Sequence, residues 1–158
     1  MREYSHGGHT VTDIKFHFVW TTKYRYAVLR GEVGVRLREI VRETCNARGI
    51  TIVKGVVSKD HVHLFVICPP HVAAADAVKW LKGRSSRKLQ MEFAQLRKRY
   101  WGQHLWSRGY FCASAGTVTD EVIAAYIKAH GSPEDESDLG ADTGVHQCHR
   151  VVSADPST

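Results

Sequence analysis

Alternating apolar and polar positions predict three strands in the first half of the chain. In residues 13–21, DIKFHFVWT, four large apolar side chains fall on one face of an extended chain, while His17 lies on the other. Residues 50–57 and 61–68, ITIVKGVV and HVHLFVIC, are also strand-like, and the residues at 58–60 suit a turn. We therefore expect an antiparallel hairpin, which ends at the two prolines that follow.

Apolar residues spaced three and four apart predict helices in two further segments. Residues 33–45 show this spacing over about four turns, and Gly49 stands where a helix C-terminus favours glycine. Residues 72–96 show it again, but the sequence GRSS at 83–86 interrupts the pattern. We expect either one long helix with a weak point at 83–86 or two helices in sequence.

The pattern then predicts one more strand and one more helix. Residues 104–115, HLWSRGYFCASA, suit a strand or a tight hairpin, and Thr119 is a plausible N-cap because two acidic residues follow it. The resulting order is strand, helix, strand, strand, helix, strand, helix. This order is typical of an α+β fold of the ferredoxin-like or split βαβ kind, with helices packed on one face of an antiparallel sheet.

Length and composition predict a single domain followed by a polar tail. The 158 residues, 43% of them hydrophobic, suit one globular domain, which we place at residues 1–131. Residues 132–158 contain few large apolar side chains and are expected to form a disordered acidic tail. Apolar runs such as residues 62–68 are too short to span a bilayer, and no secretory signal is recognisable, so we expect a cytoplasmic protein.

The charge is concentrated outside the tail. The chain has 22 Lys and Arg against 16 Asp and Glu, and residues 132–158 hold six of the acidic residues but only one of the basic ones. Residues 1–131 are therefore strongly basic, which favours a polyanionic partner, nucleic acid first and an anionic membrane surface second. Tyr and Trp interleave with the basic residues near positions 24 and 100, although such runs are often solvated helix faces. The candidate DNA contacts are Lys23, Arg25, Lys79, Lys82, Arg84, Arg87, Lys88, Arg97, Lys98 and Arg99.

Two pairs of side chains could form a reactive site. His61 and His63 share one strand face about 7 Å apart and could bind one metal ion, although such pairs are more often hydrogen-bonded or partly exposed histidines. Tyr126 and His130 are four residues apart and share a helical face. The alternative is that Tyr126 packs in the core and His130 interacts with the helix C-terminus.

Together these residues make DNA strand cleavage by a tyrosine conceivable. A divalent ion on His61, His63 and His130 would polarise a phosphodiester, and the phenol oxygen of Tyr126 could attack the phosphorus. Transfer to tyrosine conserves the phosphodiester as a phosphotyrosine ester and leaves a free 3′ hydroxyl. The same site could then rejoin strands without an external energy source.

The chain resembles the single-tyrosine HUH transposases of the insertion-sequence 200/605 family, in which HUH means His-hydrophobic-His. Three blocks carry the resemblance in the expected order: KFHFVWTTKYRYAVL, VSKDHVHLFV and LWSRGYFCASAGTVTDEVIAAYIKAH. The resemblance implies that His61 and His63 are metal ligands and Tyr126 is the nucleophile. His130 stands where the family usually has glutamine as third ligand. The resemblance also implies Mg²⁺ or Mn²⁺, single-stranded DNA with hairpins at the element ends, and a homodimer in which the tyrosine helix of one subunit can serve the other.

Two alternatives remain open from the sequence. Three histidine ligands would by themselves favour zinc, nickel or manganese, so His61, His63 and His130 could instead form a zinc hydrolase site in which Tyr126 is incidental. The departure at His130 also permits a catalytically inactive protein that binds single-stranded or hairpin DNA and derives from such a transposase.

Overall fold

The computed structural model describes residues 5–101, 103–114, 125–128 and 136–138. The elements in chain order are β1 (Ser5–His6), β2 (Val11–Thr12), β3 (Lys15–Thr21), a 3₁₀ turn (Lys23–Arg25), α1 (Glu32–Ala47), β4 (Thr51–Ser58), β5 (His61–Ile67), α2 (Ala74–Glu92), α3 (Ala94–Arg99), β6 (Phe111–Ser114), a helical segment at 125–128, and β7 (Glu136–Asp138). In the part of the chain so described, no helix combines the length and the apolar character that crossing a membrane requires.

One antiparallel sheet organises the molecule, with strand order β6-β3-β5-β4-β7. The β4–β5 hairpin turns through Lys59 and Asp60, as the sequence predicts. The central pair β3–β5 runs in register from Lys15 opposite Ile67 to Thr21 opposite His61. The predicted antiparallel α+β fold is therefore confirmed, and the small separate β1–β2 pair is an addition that the pattern did not predict.

The two long helices cover one face of this sheet. Leu37 of α1 and Leu81 of α2 are buried in one cluster with Phe18 of β3 and Leu64 of β5. Because side chains alternate along a strand, His61 and its neighbours on the same face point away from α1 and α2. The opposite face carries the candidate chemistry.

Two helices in sequence form here, as one of the two expectations had it, but a break at 83–86 is wrong because α2 continues through these residues. The hydroxyl of Ser85 is buried and donates to the carbonyl oxygen of Leu81, 2.6 Å away, so the polar side chain is satisfied within the helix. The break occurs instead at Phe93, whose extended backbone (φ −117°, ψ 102°) separates α2 from α3. Local composition at 83–86 therefore did not outweigh the packing of this helix against the sheet.

The predictions for residues 104–158 are confirmed in part, and the rest of them lie outside the described residues. Of the residues described at 104–114, only Phe111–Ser114 forms a strand, while Trp106 makes a single bridge to Thr22. The expected N-cap Thr119 lies outside the described residues. Of the tail at 132–158, Glu136–Asp138 pairs with β4 and the rest lies outside the described residues, so its disorder stays a prediction.

Candidate active site

His61 begins β5 and is anchored by the residue that precedes it. Its Nδ1 lies 2.9 Å from Oδ1 of Asp60, and both side chains are 2% exposed. Burial alone would raise the pKa of Asp60, but hydrogen bonds from His61 and Arg25 hold it below its ordinary value. An ionised carboxylate only accepts hydrogen bonds, so Nδ1 of His61 is the donor and Nε2 is the ring nitrogen left to face a ligand.

His63 lies two residues further along the same face, opposite Val19 of β3 and Val56 of β4. Burial, followed by electrostatic interaction with His17 and His61, lowers its pKa to about 3. The imidazole is therefore neutral near pH 7, which is the form that coordinates metals.

Tyr126 stands over the same face of the sheet as the two histidines. Its neighbour Ile127 is buried against Val19 of β3 and Phe111 of β6, and the rings of Tyr126 and Phe111 are 5.4 Å apart between centroids. Burial raises the pKa of Tyr126, and the positive charge of Arg25 opposes this shift. The phenol is therefore protonated at neutral pH.

Arg25 joins the tyrosine helix to the histidine strand. Its Nη1 donates to the carbonyl oxygen of Ile127 at 2.6 Å, while Nε and Nη2 donate to Oδ2 of Asp60 at 3.0 and 2.9 Å. The sequence placed Arg25 among the candidate DNA contacts and treated Asp60 only as part of a turn. The only feature of the sequence that could have indicated the role of Asp60 is its position directly before His61.

The predicted third metal ligand falls outside the described residues. His130 lies outside them, so its assignment as ligand stays a prediction. Across residues 5–101, 103–114, 125–128 and 136–138, no three His, Cys, Asp or Glu side chains are grouped to hold a metal ion. His17, which the sequence did not single out, is buried and stacks on Phe65 with 4.2 Å between ring centroids.

A basic groove of about 830 Å³ runs beside α2. Four of the candidate DNA contacts line it, together with Arg108; these four are Lys23, Lys82, Arg87 and Arg97. Lys82 also donates to the carbonyl oxygens of Ser107 and Gly109, and burial lowers its pKa. The groove thus gathers cationic side chains that are scattered along the sequence.

The remaining candidate contacts have different surroundings. Arg84 and Lys88 form ion pairs with Glu43 of α1 at 3.8 and 3.0 Å. The guanidinium of Arg99 lies 4.1 Å from the ring centroid of Tyr26. Lys79 and Lys98 are exposed. Among the aromatic side chains interleaved with these residues, Trp101 is 88% exposed and Tyr24 is 69% exposed, so each ring has surface available for stacking.

Known proteins are similar to this chain in both sequence and fold. Over 124 residues the chain is 35% identical to the ISDra2 transposase TnpA of Deinococcus radiodurans, which covers 78% of this chain and 89% of the relative. It is 32% identical over 128 residues to the transposase for insertion sequence element IS200 of Salmonella typhimurium, covering 81% and 83% of the two chains. Both relatives are matched over most of their length.

Two solved structures have the same architecture. A crystal structure of a Deinococcus radiodurans R1 protein assigned as a transposase superposes with a TM-score of 0.73 at 33% identity, covering 80% of this chain and 97% of that one. A REP-associated tyrosine transposase bound to a REP hairpin superposes with a TM-score of 0.52 at 15% identity, covering 83% and 75%, which shows a shared fold alone. The family model for IS200-like transposases matches residues 10–130, and the chain therefore belongs to this family.

Proposed function

We propose that this transposase cleaves and rejoins single-stranded DNA through a covalent bond to Tyr126. The observation that carries the proposal is the placement of the tyrosine helix on the sheet face of His61 and His63, with Arg25 bonded to both sides. The family membership supports the reaction class, and the geometry supports the choice of residues.

The proposed cleavage is an in-line transfer of a phosphoryl group. The phenol oxygen of Tyr126 attacks the phosphorus while the phenol proton passes to a base or to water. The bond from phosphorus to the 3′ oxygen breaks, and that oxygen leaves as a hydroxyl after taking up a proton. The product is a 5′-phosphotyrosine ester, and attack by a 3′ hydroxyl on this ester reverses the step and joins strands.

The donor set fits a divalent metal ion. His61 presents Nε2 because Asp60 fixes its other nitrogen, and His63 is held neutral. We assign Mg²⁺ or Mn²⁺ to these two ligands, with His130 as third, because an open site completed by water and phosphate oxygens suits phosphoryl transfer. When bound, the ion would neutralise charge that builds up on the phosphate.

The DNA partner is assigned from charge and from exposed aromatic surface. The groove beside α2 concentrates Lys23, Arg87 and Arg97, and Trp101 offers a stacking face outside it. We assign single-stranded DNA with hairpins at the element ends as the substrate, and a homodimer as the working form. A monomer measured by light scattering at working concentration would count against the dimer.

The test is the formation of a protein–DNA adduct. End-labelled single strands from the ends of the protein's own element are incubated with and without Mg²⁺ or Mn²⁺ and resolved on a denaturing gel. We expect a metal-dependent adduct that Tyr126→Phe abolishes, while the matched control Tyr110→Phe retains it. Hairpin binding without an adduct would indicate an inactive DNA-binding protein, and cleavage that survives Tyr126→Phe would indicate hydrolysis by activated water, as in the zinc hydrolase alternative.

A further inference from the structure

We propose that Arg25 is a positioning residue that fixes the tyrosine helix to the Asp60 carboxylate that holds His61, and does not contact DNA phosphates. This inference rests on the proposed function, since it assigns Arg25 to the same cleavage step. It differs from the expectation that the sequence alone gives for the KYRY segment.

The guanidinium uses its donors in two directions. Nε and Nη2 both donate to Oδ2 of Asp60, while Nη1 donates to the backbone carbonyl of Ile127, which is 102 residues away in sequence. Asp60 uses its other oxygen, Oδ1, to hold Nδ1 of His61. Arg25 is thus a bridge between the helix that carries the nucleophile and the support of a proposed metal ligand.

The bridge is largely shielded from solvent, which leaves little of the guanidinium exposed to a phosphate. The side chain of Arg25 is 11% exposed and that of Asp60 is 2% exposed. By contrast, Arg97 on α3 is exposed and lines the basic groove. Turning the guanidinium towards a phosphate would break its two hydrogen bonds to Oδ2 of Asp60 and leave that buried carboxylate without its arginine partner, which is costly.

The backbone around Arg25 is built to hold this arrangement. Tyr24 and Arg25 both have positive φ, 62° and 55°, a conformation that non-glycine residues adopt only where surrounding contacts enforce it. Thr22 supplies such contacts: its amide donates to the carbonyl oxygen of Asp60 at 2.8 Å, and its hydroxyl donates to that of Tyr26 at 2.8 Å. The loop that presents Arg25 is thereby fastened to the hairpin turn before His61.

Lysine cannot replace arginine in this role. An ammonium is a point charge that could keep the ion pair with Asp60, but it lacks the planar fork that serves a carboxylate and a carbonyl at the same time. Arg25→Lys is therefore the informative variant. Arg36→Lys is the matched control, because Arg36 makes a similar forked contact with Glu92 of α2, among helices that pack on the opposite face of the sheet.

The first measurement is hydrogen exchange of the backbone amides at 125–128 in the full-length protein. We expect Arg25→Lys to speed their exchange by about tenfold or more, because a charge-assisted hydrogen bond to the helix is lost. Arg36→Lys should leave it unchanged. Wild-type exchange in a folded Arg25→Lys protein would overturn the proposal. If Arg25→Lys does not fold, Arg25→Gln is used and judged by the same criterion.

The second measurement separates positioning from DNA binding. At saturating DNA and Mn²⁺, Arg25→Lys should slow adduct formation by about tenfold to a hundredfold, because a small displacement of reacting groups costs rate steeply. The dissociation constant for the hairpin and its salt dependence should be unchanged. Weaker binding with a shallower salt slope would make Arg25 a phosphate contact and overturn the proposal. If the wild type forms no adduct, the proposed function fails while the exchange result still decides whether Arg25 holds the helix.

Discussion

Replacing Asp60 by Asn would test how much the buried carboxylate contributes to stability and to the proposed metal site. Asp60 accepts two hydrogen bonds from Arg25 and one from His61, all between 2.9 and 3.0 Å. An asparagine has nearly the same size, but it is neutral and turns one acceptor into a donor. The charge of Arg25 then stays buried without an anion, and breaking such a pair costs about 3–5 kcal/mol of unfolding free energy.

The same change should weaken metal binding. Loss of a carboxylate that orients a ligating histidine typically lowers metal affinity by about 10–100-fold. Urea unfolding at 25 °C measures the first effect, and calorimetric titration with Mn²⁺ measures the second. The control is Glu39→Gln, which removes an exposed ion pair with Arg36 and should cost less than about 1 kcal/mol. An Asp60→Asn protein that matches Glu39→Gln in both assays would refute the reasoning.

Three further outcomes follow from the described contacts. Leu64→Ala, at a fully buried position of β5, should lower the free energy of unfolding by about 2–5 kcal/mol in urea, and a loss under about 1 kcal/mol would contradict the packing. Because the folded state depresses the pKa of His63 to about 3, unfolded chains bind a proton there first, so stability should fall from about pH 6.5 towards pH 3. His63→Gln should make the midpoint of urea unfolding depend less on pH over this range. An unchanged dependence would count against the role of His63. Arg97→Ala should reduce the salt slope of DNA binding by about 1, and Lys88→Ala, whose ammonium already pairs with Glu43, should reduce it less; equal slopes would contradict the groove assignment.

The sheet was predictable because its strands follow simple alternation. In residues 13–21 and 61–68 one face is apolar enough to require burial, and this fixes which side chains meet the helices. The helix break was not predictable from composition. A Gly-Arg-Ser-Ser sequence reads as a weak point locally, yet Ser85 bonds within the helix and the chain changes direction only at Phe93.

The arrangement of the candidate site was predictable only for residues whose spacing lies within a single strand or helix. His61 and His63 share a face through strand periodicity, and the structure places Tyr126 over that face. The bridge through Arg25 and Asp60 joins residues 35 positions apart and depends on the left-handed backbone at Arg25. No local sequence pattern predicts either feature. Long-range contacts of this kind come from the tertiary fold.

The most direct test of the account is to locate the covalent bond by mass spectrometry. After incubation with Mn²⁺ and single-stranded DNA from an element end, nuclease digestion leaves a nucleotide on the protein, and trypsin releases residues 109–128 as one peptide that contains both Tyr110 and Tyr126. Fragmentation distinguishes the two tyrosines. The account predicts a nucleotide joined through its 5′ phosphate to Tyr126 alone. A nucleotide on Tyr110, or cleaved DNA with no modified peptide, would contradict the account.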